Sequence, residues 1–432
     1  MRTLLFVLAL ATSAAAQAQE PWSPQVSGRL ELLDARACAE GYLLSLTQKG
    51  DLSLTDQAGQ THRWGMGEEA ALLLRCDRRG RVAWALRVHG VGRARGASVA
   101  PLGSAGWAWA GTLAGEVEVQ SLTSDPGVEL SLAPAGSFVL RVSPAGQLLS
   151  HSLHAGRELE LTQRGGQVLA YGRSPARGFV APLDASGRAR WTAALGERVS
   201  VTRALLGPRR VYLAGYLRGA TQLSGAQGAP GPRYETPRME GGCVIGSEDN
   251  PFLACLERDS GRLRWSAQLH QPSSSGWVQD LLLAEGRLYL AAKAGDHTYV
   301  HDGVAGPSFE SPTRTFLLSV DARDGGDPRW TVVPVSDPAC DLRLLSPTRL
   351  ALAGELGSEA RAFAGVNLPA ARGSAEAYLL ELELAPLRAS RVARLSGRYR
   401  GFFPQRGQSP LLAVRRWPRG KGLRYSLRGL AD

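Results

Sequence analysis

The sequence predicts an all-β protein, a single β-propeller of about seven four-stranded blades with its ring closed by an N-terminal strand. Three observations carry that reading. A two-strand pattern with a Gly-containing turn recurs six times along the chain. In four copies a Trp falls four residues after a turn glycine: Gly80 to Trp84, Gly187 to Trp191, Gly261 to Trp265 and Gly326 to Trp330. Upstream of each copy lies a second two-strand pattern, often ending in Leu-Ala-Gly. A unit of four short strands cannot bury both its faces alone, and packing such units in a ring buries them.

The recurring hairpin reads ALLLRCDRRGRVAWALRV at 71–88, SFVLRVSPAGQLLSHSL at 137–153, GFVAPLDASGRARWTAAL at 178–195 and PFLACLERDSGRLRWSAQL at 251–269. It returns as TFLLSVDARDGGDPRWTVV at 315–333 and, more loosely, as AYLLELELAPLRASRVARL at 377–395. Apolar alternation broken by Asp/Ser/Gly turns is the signature of paired strands. The upstream pattern is WAWAGTLAG from Trp107, RVYLAGYLRG from Arg210, RLYLAAKAG from Arg287 and RLALAGELG from Arg349, with looser copies from Tyr42 and Gln167. Trp84, Trp191, Trp265 and Trp330 are read as structural plugs between neighbouring blades.

Three C-terminal strands, from Gly397, Ser409 and Gly422, would make most of a seventh blade. The alternation at 27–33 is expected to supply its fourth strand, tying the chain ends together. The loops between second and third strands vary widely, and the longest runs from Arg218 to Pro251. Function on repeat scaffolds concentrates in such loops.

The unit, with its L-A-G element, its F-L-x-x-L strand and its Trp after a turn glycine, resembles the bacterial seven-bladed β-propeller repeat proteins. FLACLERDSGRLRW also resembles the tryptophan-docking hairpin of the pyrroloquinoline-quinone-like propeller repeats. The resemblance implies a propeller and says little of function. Quinoprotein dehydrogenases of the second family are eight-bladed and carry a vicinal cysteine pair, whereas no Cys-Cys occurs in this sequence. No cofactor is therefore expected.

Residues 1–18 read as a secretory signal peptide: Arg2, an apolar run from Leu4 to Ala11, then small residues ending in Ala16-Gln17-Ala18. Residues 19–432 form the expected propeller domain. No later run reaches 18 uninterrupted apolar residues, so no transmembrane segment is expected in the mature chain. The expected location is the periplasm, the outer envelope surface or the extracellular space, as a monomer. Export permits disulfides, and an odd count of five cysteines leaves one thiol over. Cys243 and Cys255 are the expected pair, and Cys38 with Cys76 a second possibility; Cys340 is then unpaired. No C-x-x-C occurs.

Candidate chemistry is sparse. His297 and His301 flank a strand-to-loop segment, and extended geometry would hold their rings about 13 Å apart, too far for one metal. DARDGGD at 321–327 and GSEDN at 246–250 lack the spacing of a calcium loop. There is no G-x-S-x-G and no H-E-x-x-H. No catalytic or metal residue is assigned.

Charge placement is the clearest signal beyond architecture. Between Arg388 and Arg428 lie 12 cations and no acid, against a formal net charge of +11 for the whole chain. The rest is close to neutral. The residues assigned to this basic sector are Arg398, Arg400, Arg406, Arg415, Arg416, Arg419, Lys421, Arg424 and Arg428. Such a sector suits an anionic polymer or acidic partner. Nucleic acid is not expected for an exported protein. The function read from the sequence is a non-catalytic binding or scaffold propeller recognising a protein or an anionic envelope polymer. The alternative is a glycan-active hydrolase or lyase using the central channel.

Overall fold

The computed structural model describes residues 3–9 and 26–429, apart from 39–40, 66–68, 78–80, 123–127, 156–157, 165, 174–176, 185–186, 229, 235–248, 271–276, 294–296, 310–314, 334–339, 357–361, 364–365, 368–375, 385–386, 396–397, 404–410 and 417–423. The strands, in chain order, begin with β1 (Thr3–Ala9), β2 (Val26–Cys38), β3 (Gly41–Thr55), β4 (Thr61–Trp64), β5 (Ala70–Asp77) and β6 (Val82–Gly90). Next come β7 (Arg93–Pro101), β8 (Trp107–Ser121), β9 (Val128–Val142), β10 (Leu148–Ala155) and β11 (Glu158–Arg164). They continue as β12 (Gln167–Arg173), β13 (Arg177–Leu183), β14 (Ala193–Glu197), β15 (Val199–Leu206) and β16 (Arg210–Arg218). Then follow β17 (Thr221–Ser224), β18 (Pro230–Tyr234), β19 (Asp249–Glu257), β20 (Leu263–His270), β21 (Trp277–Ala284) and β22 (Arg287–Lys293). After these stand β23 (His297–His301), β24 (Val304–Phe309), β25 (Thr315–Asp321), β26 (Arg329–Val333), β27 (Cys340–Ser346) and β28 (Arg349–Leu356). The last are β29 (Ala362–Phe363), β30 (Val366–Asn367), β31 (Glu376–Leu384), β32 (Leu387–Leu395), β33 (Arg398–Phe403), β34 (Leu411–Arg416) and β35 (Arg424–Gly429). No helix long and apolar enough to cross a membrane occurs among the described residues.

The architecture is a β-propeller's: short antiparallel meanders follow one another along the chain, each opening on an inner strand and ending on an outer one. The chain divides into two compact units. The first holds 1–168, 183–188 and 400–432, and the second holds 169–182 and 189–399.

In the first unit, β2, β3, β5 and β6 pair antiparallel in that order, and β7, β8, β9 and β10 form the next meander. These strands are buried on both faces, which explains runs such as GYLLSL. Leu44, Leu46, Leu72 and Leu74 fill the core on one side, and Leu43, Leu73, Leu86, Trp109 and Phe138 the core on the other. Trp109 meets Phe138 edge-on at 5.2 Å, and its indole N–H donates to Ser45 Oγ at 2.9 Å.

In the second unit, β15, β16, β19 and β20 form one meander, β21, β22, β25 and β26 another, and β27, β28, β31 and β32 a third. The glycine of Leu-Ala-Gly has a steric reason. Gly215 stands opposite Phe252 across the β16–β19 ladder, and a Cβ there would collide with Ser200 O and come within 2.9 Å of the Phe252 ring. Gly111 stands opposite Phe138 in the same way.

Two of the insertions between second and third strands are hairpins that pair backwards. The far part of β8 adds to β6, with Leu86 opposite Ser121 and Gly90 opposite Val117. Likewise β23, inserted between β22 and β25, adds to β20, with Ala267 opposite His301 and His270 opposite Thr298.

An N-terminal strand does adjoin the C-terminal ones, but it is β1, which lies within the segment read as a signal peptide: Leu5–Ala9 runs parallel to Arg424–Arg428. The segment at 27–33, expected in that place, belongs to β2, which pairs with β3 along its length and with β1 only at Val26 and Ser27. Its alternation runs on to Cys38, and only two residues separate it from β3, so the local hairpin captures it.

Candidate functional site

Among the assigned basic residues, Arg406, Arg419 and Lys421 lie outside the described residues. Arg398 and Arg400 sit on β33, Arg415 and Arg416 on β34, and Arg424 and Arg428 on β35. Backbone register separates this sector into two chemistries. In the β31–β32 ladder Arg388 is in register with Glu383 and Arg391 with Glu381, whose carboxylate also pairs with Arg349 at 3.5 Å. In the β34–β35 ladder Arg416 stands opposite Arg424, Arg415 opposite Tyr425 and Arg428 opposite Leu412. Like charges directly opposite are destabilising, and no Asp or Glu occurs between 384 and 431.

Trp84 donates its indole N–H to Pro144 O at 3.0 Å, and Gly146 lies so near that a Cβ there would come 2.5 Å from Trp84 Cγ. Trp191 donates to Arg258 O at 2.9 Å and packs over Gly261. Each thus docks on the turn of the following meander. Trp265 packs over Gly325, but its indole N–H has no acceptor; Arg210 occupies Ala322 O, the corresponding carbonyl. Trp330 is partly buried against the same core as Trp265.

Cys255 is a free thiol, fully buried in mid-strand between Tyr212 and Trp265, and burial pushes it up to about 12. Its expected partner, Cys243, lies outside the described residues, and no disulfide is seen among those described. Cys38 and Cys76 are also free thiols. Their strands, β2 and β5, flank β3 on opposite sides, which sets their backbones too far apart to bridge. His297 and His301 are the two ends of β23, an extended strand. No group of three or more His, Cys, Asp or Glu able to hold a metal occurs among the described residues.

The sequence reading missed a set of polar staples between inner strands. In the first unit, Asp34 accepts the N–H of Ala35 and that of Val99 on β7, both at 2.9 Å. Ser98 Oγ accepts Leu161 N–H on β11 at 2.6 Å. In the second unit, Asp280 accepts Leu281 N–H at 2.9 Å and, on β27, Leu342 N–H at 2.7 Å, and pairs with Arg343 at 3.0 Å and Arg203 at 3.4 Å. Burial pushes the Asp280 carboxyl up, while Arg343 and Arg203 draw it down. The signal was present: an Asp interrupts an apolar run at one offset in ELLDARA and VQDLLLA.

A pocket of ≈ 250 Å³ in the second unit lies between the β17–β18 hairpin (Gly225, Pro230) and Arg262, Arg264 and Asp302. Both arginines are tied to Glu257, at 2.7 and 3.2 Å.

Burial pushes His89 and His270 below the usual histidine range, His89 also through the Arg87 charge. The unfolded chain therefore takes up more protons than the folded one as pH falls through about 6.5, and stability should fall with it. The urea midpoint is expected to drop between pH 7.5 and 5.5, and His89→Gln with His270→Gln to flatten that slope. An unchanged slope in the double variant would refute the assignment.

No family model matches the chain, and no curated protein matches it in sequence. Among solved structures it is similar to BamB from Moraxella catarrhalis, at 10% identity and TM-score 0.27, over 66% of this chain and 90% of that one. It is also similar to the quinohemoprotein alcohol dehydrogenase from Comamonas testosteroni, at 11% identity and TM-score 0.36, over 90% of this chain and 66% of that one. Sqt1 from Saccharomyces cerevisiae is similar at 10% identity and TM-score 0.32, over 85% of this chain and 95% of that one. No property of these proteins is carried over to this chain.

Proposed function

We propose that this chain is an exported, non-catalytic binding propeller of about seven blades, and that its β34–β35 hairpin recognises an anionic envelope polymer or an acidic protein surface. The observation behind this is the register: Arg415, Arg416, Arg424 and Arg428 share a two-strand ladder without an acid, and two of them stand directly opposite one another. The fold gains nothing from that opposition, whereas an anionic neighbour would turn repulsion into attraction. Arg388 and Arg391, each in register with a Glu, are assigned to the scaffold rather than to the surface.

The test is retention of the processed protein on its own cell-envelope fraction across a salt series, beside a variant with Arg415, Arg416, Arg419 and Arg424 changed to Gln. Each surface Arg contributes about 1 kcal/mol near an anionic surface, so retention should fall at least tenfold in the variant. Wild-type retention should fade as salt rises. Equal retention of the two proteins at every salt concentration would remove the proposal. An Arg388/Arg391 double variant should bind as wild type does.

A further inference from the structure

We propose that Arg87 and His89 form a binding site for a small oxyanion, a carboxylate or phosphate group, where β8 adds to β6. This site is separate from the β34–β35 hairpin and does not depend on the reading given to it.

Arg87 is only 4% exposed, yet it makes no ion pair with an acid among the described residues. Its guanidinium stacks over Trp64 at 5.5 Å, and one Nη donates to Gly65 O at 3.3 Å. Its Nε has no hydrogen-bond partner, and neither has His89 Nε2 two residues on. A buried cation left uncompensated is costly, and a π face with one carbonyl recovers little of that cost. The edge bearing Nε is the edge that takes an oxyanion in bidentate fashion. Gln120 stands opposite Arg87 across the ladder, and Glu118 stands opposite His89. His89, Glu118 and Gln120 are partly buried, so this rung borders solvent.

The chain carries its own control. β6 and β20 occupy the same place in their meanders, and each receives the next meander's hairpin. Three residues after Trp84 comes Arg87, and three after Trp265 comes Gln268; His89 and His270 follow two residues later. Gln268, 2% exposed and with its own Nε2 lacking a partner, shows that the fold accepts a neutral amide on this rung. A cation at Arg87 is therefore not demanded by packing. Glu118 is in register with His89, and no ion pair joins it to Arg87 among the described residues, which leaves the guanidinium for an external anion.

The test compares wild type with Arg87→Gln, the residue type β20 already carries at this place, by thermal unfolding in 1–50 mM phosphate or acetate at matched ionic strength. Both proteins keep the β34–β35 arginines, so any general response to salt cancels. Wild type should gain about 2 °C or more over the variant in the anion that binds. A gain with phosphate alone assigns a phosphate group, and a gain with acetate alone a carboxylate. Equal shifts in both proteins with both anions would overturn the site. His89→Gln, which leaves Arg87 in place, should raise the half-effect concentration several-fold. If Arg87→Gln fails to fold, an unchanged anion response in His89→Gln overturns the proposal.

Discussion

Trp84→Ala is expected to be among the most damaging single changes in the first unit, costing about 3–5 kcal/mol. The indole is 3% exposed, fills the core with Leu73, Leu86 and Phe138, and lies against Gly146 in a turn more than 50 residues away. Truncation removes that packing and leaves Pro144 O without its indole donor. Trp84→Phe should cost less than Trp84→Ala, because it keeps a ring in the core while losing the indole N–H and part of the packing. Trp191 docks in the same manner but is only partly buried, so Trp191→Ala should cost less. Urea midpoints at constant slope measure the order. A Trp84→Ala protein within 1 kcal/mol of wild type would show that the docked ring is incidental.

Gly215 should tolerate no side chain. Gly215→Ala places a Cβ into Ser200 O, a backbone atom that cannot rotate away, and against the Phe252 ring. Relief requires moving β15 from β16, so a loss of about 3 kcal/mol or more is expected. The meander of β21, β22, β25 and β26 supplies the comparison: Ala292 stands opposite Phe316, the rung that Gly215 shares with Phe252. Ala292→Gly should cost only about 0.5–1 kcal/mol, through backbone entropy. Were Gly215→Ala to melt with wild type, the Leu-Ala-Gly element would lose its steric explanation.

The hairpins were legible because strand alternation, turn glycines and the Trp offset are local. SFVLRVSPAGQLLSHSL falls on β9 and β10, and PFLACLERDSGRLRWSAQL on β19 and β20. What escaped the sequence is non-local. That β8 reaches back to β6, and β23 to β20, depends on where a turn aims an insertion, which no periodicity records. Leu30–Cys38 went to β3 because a hairpin neighbour two residues away outcompetes a distant edge. Of the candidate surface, the run of arginines was visible, but not which of them stand in register with acids; register alone places Arg391 by Glu381 and Arg416 by Arg424. Arg87 and His89 were overlooked because within the repeat they read as ordinary strand polars. What marks Arg87 is a cation 4% exposed with no acid beside it among the described residues, which a sequence does not record.

The backward-pairing hairpins also bear on how the chain is made. When β6 leaves the ribosome its outer edge is a row of unpaired N–H and C=O groups, and β20 is in the same position later. Neither edge can be capped until the second strand of the following meander has been synthesised, because the cap is part of that meander. These two sheets therefore wait, adhesive on one side, for their successors. A chain stalled between two meanders should aggregate through that edge, whereas one stalled just past an inserted hairpin should stay dispersed.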